Sequence, residues 1–168
     1  IASRGKYVNQ MKEGKWQYFS SRAEGYMIGE EEYVKNMKNG LSWRFYPDGS
    51  PMEKLTYRND VKHGEWIQYY SGKKICIYAV YEEGKLNGKY TVYYENGNPE
   101  FAGNYMNDAR NGDWIKYNPD GTVKSTIRYV RGIAMNPELW IKETRYLDSL
   151  EKNMGKIPDP EKTGTIWE

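Results

Sequence analysis

The stretch GEWIQYYSGKKICIYAVY (residues 64–81) is followed 24 residues later by GKYTVYYENGNPEFAGNY (residues 88–105). Each opens on a glycine and has an aromatic residue two positions on, Trp66 or Tyr90. A second aromatic follows, Tyr69 or Tyr93, then a short turn containing Gly72 or Gly97, and the segment ends on Tyr81 or Tyr105. Inside each segment the apolar residues recur with period two. Ile75, Ile77, Ala79 and Tyr81 fall on one face, as do Phe101, Gly103 and Tyr105. Alternation of this kind reads as strand, and a Gly-bearing turn between two such runs reads as an antiparallel hairpin.

The same pattern extends in both directions. Tyr33, Tyr57, Tyr81, Tyr105 and Tyr129 are spaced by 24, with Tyr7 preceding them by 26; Gly40, Gly64, Gly88 and Gly112 keep the same step, with Gly14 preceding by 26. Gly25, Gly49, Gly72, Gly97 and Gly121 mark the hairpin turns. A fixed period is the signature of a repeat array. The expected fold is therefore mainly β: a single elongated, twisted antiparallel sheet of consecutive hairpins, five units over residues 1–132. The constant spacing from each Tyr to its Gly sets the register between units, through polar connections such as NDVKHG (59–64). The insertion SSRAEG (20–25) falls in the opposite, variable loop.

Strand alternation also assigns faces. Trp66, Tyr90 and Trp114 form one column; Ile67 with Tyr69, and Ile115 with Tyr117, lie opposite. Val123 is expected to share a face with Ile127 and Tyr129, against Lys124, Thr126 and Arg128. The second unit departs from the pattern: Ser42 occupies the Trp column and Trp43 moves to the Ile67 face. Leu, Ile, Val and Phe make up under a fifth of the chain, whereas 17 Tyr and 6 Trp are present, so the core is expected to be aromatic.

An open sheet needs its ends managed. Residues 136–154 (NPELWIKETRYLDSLEKNM) provide an N-cap in Asn136, a first-turn Pro137 and Glu138 near the positive helix start. Leu139, Glu143, Tyr146, Leu147, Leu150 and Met154 recur at three- and four-residue steps beside Trp140, and Gly155 is the stop. The expectation is a capping helix within residues 133–155 that packs on the last repeat, followed by an extended tail over 156–168 in which Trp167 stands out.

Catalytic and metal chemistry finds little support. One histidine, His63, and one cysteine, Cys76, cannot build the usual zinc sets or an intrachain disulfide. His63 reads as an exposed loop residue and Cys76 as a strand thiol beside Ile75 and Ile77. No Gly-x-x-x-x-Gly-Lys-Ser/Thr loop is present. Glu30, Glu31 and Glu32 read as a solvated strand edge rather than a catalytic pair. Asp60 and Asp108, with adjacent Asn, lack the acid density of a calcium loop. A net charge of +2 disfavours nucleic acid, and no run of 18 apolar residues is present. The chain begins at Ile1 rather than Met, so either the stretch was cut from a longer chain or a processed signal peptide precedes it; of the two, export to the periplasm or cell surface is the expectation.

The five Gly-x-aromatic starts, the following Phe19, Phe45, Tyr69, Tyr93 and Tyr117, and the recurrent turn glycine resemble the MORN repeat over roughly residues 5–132, specifically its bacterial YwqK-like variant, to which an antitoxin label is often attached. The resemblance implies a non-catalytic protein-interaction or scaffold module without cofactor. Peripheral binding of lipid headgroups or glycans is the alternative, and a homodimer through the sheet edge or the tail is a further mode of assembly. The candidate binding residues are Trp66, Tyr90 and Trp114 on one face and Tyr69, Tyr93 and Tyr117 on the other; periodicity alone leaves open which face is exposed.

Overall fold

The computed structural model describes residues 2–21, 25–139 and 141–153. Twelve strands follow one another in chain order in one antiparallel sheet. They are β1 (Ala2–Val8), β2 (Met11–Phe19), β3 (Met27–Val34), β4 (Met37–Phe45), β5 (Pro51–Arg58) and β6 (Val61–Tyr69), then β7 (Ile75–Glu82), β8 (Lys85–Tyr93), β9 (Pro99–Met106), β10 (Ala109–Tyr117), β11 (Val123–Val130) and β12 (Ile133–Ala134). A 3-10 turn over Pro137–Leu139 and the helix α1 (Ile141–Asn153) complete the order. The helix starts later than Asn136 because the first turn is 3-10 rather than α. Met154, Gly155 and the 156–168 tail, including Trp167, lie outside the described residues, as does Trp140.

The inter-unit connections are tighter than their polar composition indicates. Each is a two-residue turn with both residues at positive φ, as at Asn59 (49°) and Asp60 (66°), and the remaining "connection" is the start of the next strand. Positive φ at both central residues is the hairpin geometry that matches strand twist, and Asn and Asp tolerate it. The turn then clips onto the preceding unit. The Asp60 amide donates to the Lys38 carbonyl at 2.9 Å, and the Lys38 amide donates to Asp60 Oδ1 at 2.7 Å. Asp108 does the same with Leu86, and Asn36 with Lys12. This reciprocal clip explains why the Tyr-to-Gly spacing is constant. It also uses Asp60 and Asp108 in the architecture.

Two bulges recur in the units. One surrounds the column glycine: Gly64 has φ +85°, and the β5–β6 register slips between Leu55–Trp66 and Tyr57–Lys62. The other follows the hairpin turn, where Tyr69 pairs with Ile75 although Gln68 pairs with Ile77, and Tyr117 pairs with Val123 although Lys116 pairs with Ser125. An inserted residue reverses the face of everything beyond it. Val123 is therefore 59% exposed while Ile127 is buried, and Lys124 reaches Glu143 of α1. The expected grouping of Val123 with Ile127 fails because period-two counting does not see the bulge.

The core lies on the face against which α1 packs, called the inner face below. Cross-strand partners form one continuous row: Trp16, Glu31, Ser42, Leu55, Trp66, Ala79, Tyr90 and Gly103, with Trp114 and Ile127 completing it. Rings on β2, β6, β8 and β10 alternate with smaller residues on the odd-numbered strands; β4, with Ser42, is the exception. A Cβ added at Gly103 would overlap the Trp114 indole, and one at Gly5 would overlap Trp16, so these glycines make room for the rings. The larger apolar cluster runs from Leu55 to Tyr129 and includes Leu147 of α1; a smaller one gathers Trp16, Tyr18, Ile28, Tyr33 and Met52.

Candidate functional site: two aromatic faces

Trp66, Tyr90 and Trp114 are all buried on the inner face. Trp66 donates through Nε1 to Glu53 at 2.6 Å, and Trp114 donates to the Asn104 carbonyl at 3.1 Å. Tyr90 meets Tyr105 edge-on with centroids 5.3 Å apart and lies 5.6 Å from Trp114. A further column escaped the sequence reading. Lys12, Lys38, Lys62 and Arg110 occupy equivalent positions and lie over neighbouring rings, with Lys62 Nζ 5.0 Å from Tyr81 and Arg110 Cζ 5.3 Å from Trp114. The signal was present as cations at the 24-residue step, interrupted by Leu86. Cations over ring faces add electrostatic attraction to apolar burial. The inner columns are thus engaged in packing, and a partner could reach them only by opening the sheet.

Tyr69, Tyr93 and Tyr117 stand on the opposite, outer face and are half-buried. Phe45, 24 residues before Tyr69, and Phe19, 26 residues before Phe45, complete the column. Across the bulge these five residues pair with Met27, Pro51, Ile75, Pro99 and Val123. An apolar ladder spanning five hairpins results, with Trp43 stacked near Phe45 at 6.2 Å. The backbone beneath it is fixed from the neighbouring unit. Tyr46, Tyr70 and Tyr94 donate their hydroxyls to the carbonyls of Tyr69, Tyr93 and Tyr117 at 3.0, 2.6 and 2.8 Å. Each such bond staples one hairpin to the next, so the outer side chains are carried on a positioned backbone.

Glu31 does not lie on a solvated edge. It is fully buried in the inner row, where Arg44 Nη2 donates to it at 2.6 Å, Lys38 Nζ at 2.9 Å and the Tyr33 hydroxyl at 2.6 Å. The cause is the missing ring at Ser42: with serine in the Trp column, the space goes to a charged cluster instead. Burial alone would push the Glu31 carboxyl up, but the Arg44 and Lys38 charges and the Tyr33 hydrogen bond outweigh it and hold the group below the usual range. Burial, then Glu31, pushes the Tyr33 hydroxyl up, which keeps it a donor.

The remaining candidates for chemistry are accounted for structurally. Burial raises the Cys76 thiol, which makes it a poor nucleophile at neutral pH. His63 lies within β6 rather than in a loop, 2.7 Å from Arg58 Nη2 through Nε2. Among the described residues, no group of three or more His, Cys, Asp or Glu could hold a metal ion. No helix among them is long and apolar enough to cross a membrane. At the C-terminal end, Arg110 donates to Glu151 at 2.6 Å and to Asp148 at 2.9 Å, and the Tyr105 hydroxyl donates to the same Glu151 carboxylate. With Leu147 in the core, these contacts hold α1 on the last units.

Fold and columns together define an open sheet of β-hairpin repeats. Residues 38–59, 86–107 and 110–131 match the family model described as MORN repeat variant, each match covering one hairpin with its joining turn. No curated protein matches the chain. Repeats of this kind generally serve as non-catalytic modules that bind proteins or membranes.

Proposed function

We propose that this protein is a non-catalytic interaction module whose partner is another protein, bound along the outer-face ladder of Phe19, Phe45, Tyr69, Tyr93 and Tyr117. The observation that carries the reading is the contrast between faces. The inner aromatics are buried, whereas the outer column stays half-open in all five units. Rigid, amphipathic tyrosines with little side-chain entropy to lose suit an anchoring role. Repeat arrays commonly bind through such extended surfaces. An antitoxin-like role is the finer form of this proposal, with a toxin as the covered partner; finding a toxin gene beside this one would support it, and its absence would count against it.

The test is photo-crosslinking in the native host with a benzophenone side chain at position 93, read by mass spectrometry. A discrete adduct with one protein, lost when Tyr69 and Tyr117 are both changed to Ser, supports the reading. Co-sedimentation of the chain with anionic phosphatidylglycerol vesicles, without a protein adduct, would replace it with lipid-headgroup binding.

A further inference from the structure

The outer column repeats at a distance that restricts the shape of its partner. Ile67, Tyr78, Thr91, Ala102 and Ile115 are successive cross-strand partners, so this outer row crosses β6 to β10 without offset. Tyr69, Tyr93 and Tyr117 stand two residues further along the same strands, and Phe45 precedes them by one more repeat. Neighbouring rings are therefore two strands apart, about 9.6 Å, and Phe45 to Tyr117 spans about 29 Å.

Three regular chain conformations can be laid along that line. A β-strand returns a side chain to one face every two residues, about 6.7 Å, and falls out of step at once. An α-helix returns one every seven residues, about 10.5 Å, and is out by about 3 Å at the fourth ring. A polyproline II helix has three residues per turn and returns one every turn, about 9.3 Å, so it stays within about 1 Å over all four rings.

The chemistry of the stripe agrees. Charged residues make up 29% of the chain. From Phe45 to Val123 none stands in the column or among its partners across the bulge, so the stripe is matched by an uncharged segment. In the row alongside, Lys54 lies between Trp43 and Ile67, and Glu65 stands 3.5 Å from it. Ile75 and Pro99 occupy the strands between the tyrosines and give an apolar floor between successive rings. The staples from the neighbouring unit end on the carbonyls of Tyr69, Tyr93 and Tyr117, and among the described residues the hydroxyls of these three have no hydrogen-bond partner. A polyproline II helix makes no internal hydrogen bonds, so its carbonyls are open to accept from them.

We propose that the outer ladder receives a proline-rich segment of the partner protein, lying across the strands in polyproline II conformation with one proline on each ring from Phe45 to Tyr117. Its pattern is Pro-x-x-Pro-x-x-Pro-x-x-Pro. Such a segment is preformed and loses little conformational entropy on docking against aromatic rings. The inference rests on the outer ladder as the binding surface and names what that surface reads.

The probes are two fluorescein-labelled peptides with four prolines each, (Pro-Ala-Ala)3-Pro and (Pro-Ala-Ala-Ala)3-Pro, with binding to the full chain followed by fluorescence anisotropy. The first keeps the three-residue step and the second breaks it. The first is expected to bind about tenfold more tightly, as for the loss of one or two ring contacts. Tyr93→Ser should weaken the first peptide by about tenfold, and Tyr93→Phe, which keeps the ring and loses the hydroxyl, should weaken it less. Near-parental thermal midpoints show that both variants are folded. Equal affinity for the two peptides, or a preference unchanged in Tyr93→Ser, would overturn the proposal. So would a discrete host adduct at position 93 that maps to a segment without Pro-x-x-Pro, a result that leaves the ladder itself as the binding surface. Absence of both peptide binding and any protein adduct removes the ladder reading as well.

Discussion

Arg44 Nη2 lies 2.6 Å from the buried carboxylate of Glu31, in the one unit whose Trp column holds a serine. Removing one partner of a buried pair leaves the other charge uncompensated, which typically costs about 3–5 kcal/mol. Glu31→Gln should therefore lower the thermal midpoint strongly. The combined variant Glu31→Leu/Ser42→Trp/Arg44→Gln, which installs the residues found one repeat further on (Leu55, Trp66, Gln68), should recover much of the loss. Thermal unfolding of the two proteins side by side checks this; a triple variant no better than Glu31→Gln would show that the polar cluster is not a substitute for the ring.

The same pair predicts a pH dependence. The folded carboxyl of Glu31 is held below its ordinary value, so its stabilising contribution is complete above the unfolded carboxylate range. It is lost as pH falls through the lower, folded value. Stability measured by denaturant titration should fall at acid pH more steeply in the parent than in Glu31→Gln; identical acid profiles would contradict it.

Much of this fold was legible because strand alternation and a 24-residue step are both written in the sequence. The joint at Asn59–Asp60 reads as a polar loop because its short turn is followed by Lys62 and His63, which are polar yet, with Val61, belong to β6. The bulge before Ile77 was invisible, since one extra residue changes the face without changing composition. Glu31 was misplaced for a different reason. Its burial depends on Ser42 and Arg44, which lie 11 and 13 residues on and come beside it only when β3 and β4 have paired. The two candidate columns were identified, but their faces could be told apart only once α1 and the row through Ala79 and Gly103 had defined the inner side.

Gly103 should not tolerate a side chain, since a Cβ there would overlap the Trp114 ring. Forcing extra volume into a packed core costs about 1–3 kcal/mol. Gly103→Ala should thus lower stability by that order in urea unfolding, and a neutral result would mean that the ring shifts without cost.

The tyrosine staples should act singly. Tyr70→Phe removes the hydroxyl that donates to the Tyr93 carbonyl and is expected to cost about 0.5–1.5 kcal/mol. Tyr46→Phe and Tyr94→Phe remove the corresponding bonds two strands to either side, so the double variant Tyr46→Phe/Tyr94→Phe should be close to additive. Equilibrium unfolding of the single and double variants measures it; strong non-additivity would mean that the units do not act as separately stapled neighbours.

The cap should depend on both halves of its contact. Leu147→Ala removes a fully buried side chain and should cost about 2–5 kcal/mol. Arg110→Ala should remove the ion pairs that Glu151 and Asp148 of α1 make to β10, and raise hydrogen exchange in the helix before it does so in β6. Uniform exchange along the chain would argue against a locally held cap.

The central claim is that the inner aromatic column holds the sheet together while the outer column is free to bind. The direct test compares Trp66→Ala/Trp114→Ala with Tyr69→Ser/Tyr93→Ser/Tyr117→Ser, measuring thermal unfolding and crosslinked adduct together in both, with the crosslinker placed at Phe45. Loss of cooperative unfolding in the first variant, and a near-parental midpoint with loss of the adduct in the second, is the predicted result. A folded tryptophan variant that loses the adduct, with a tyrosine variant that keeps it, would contradict the account.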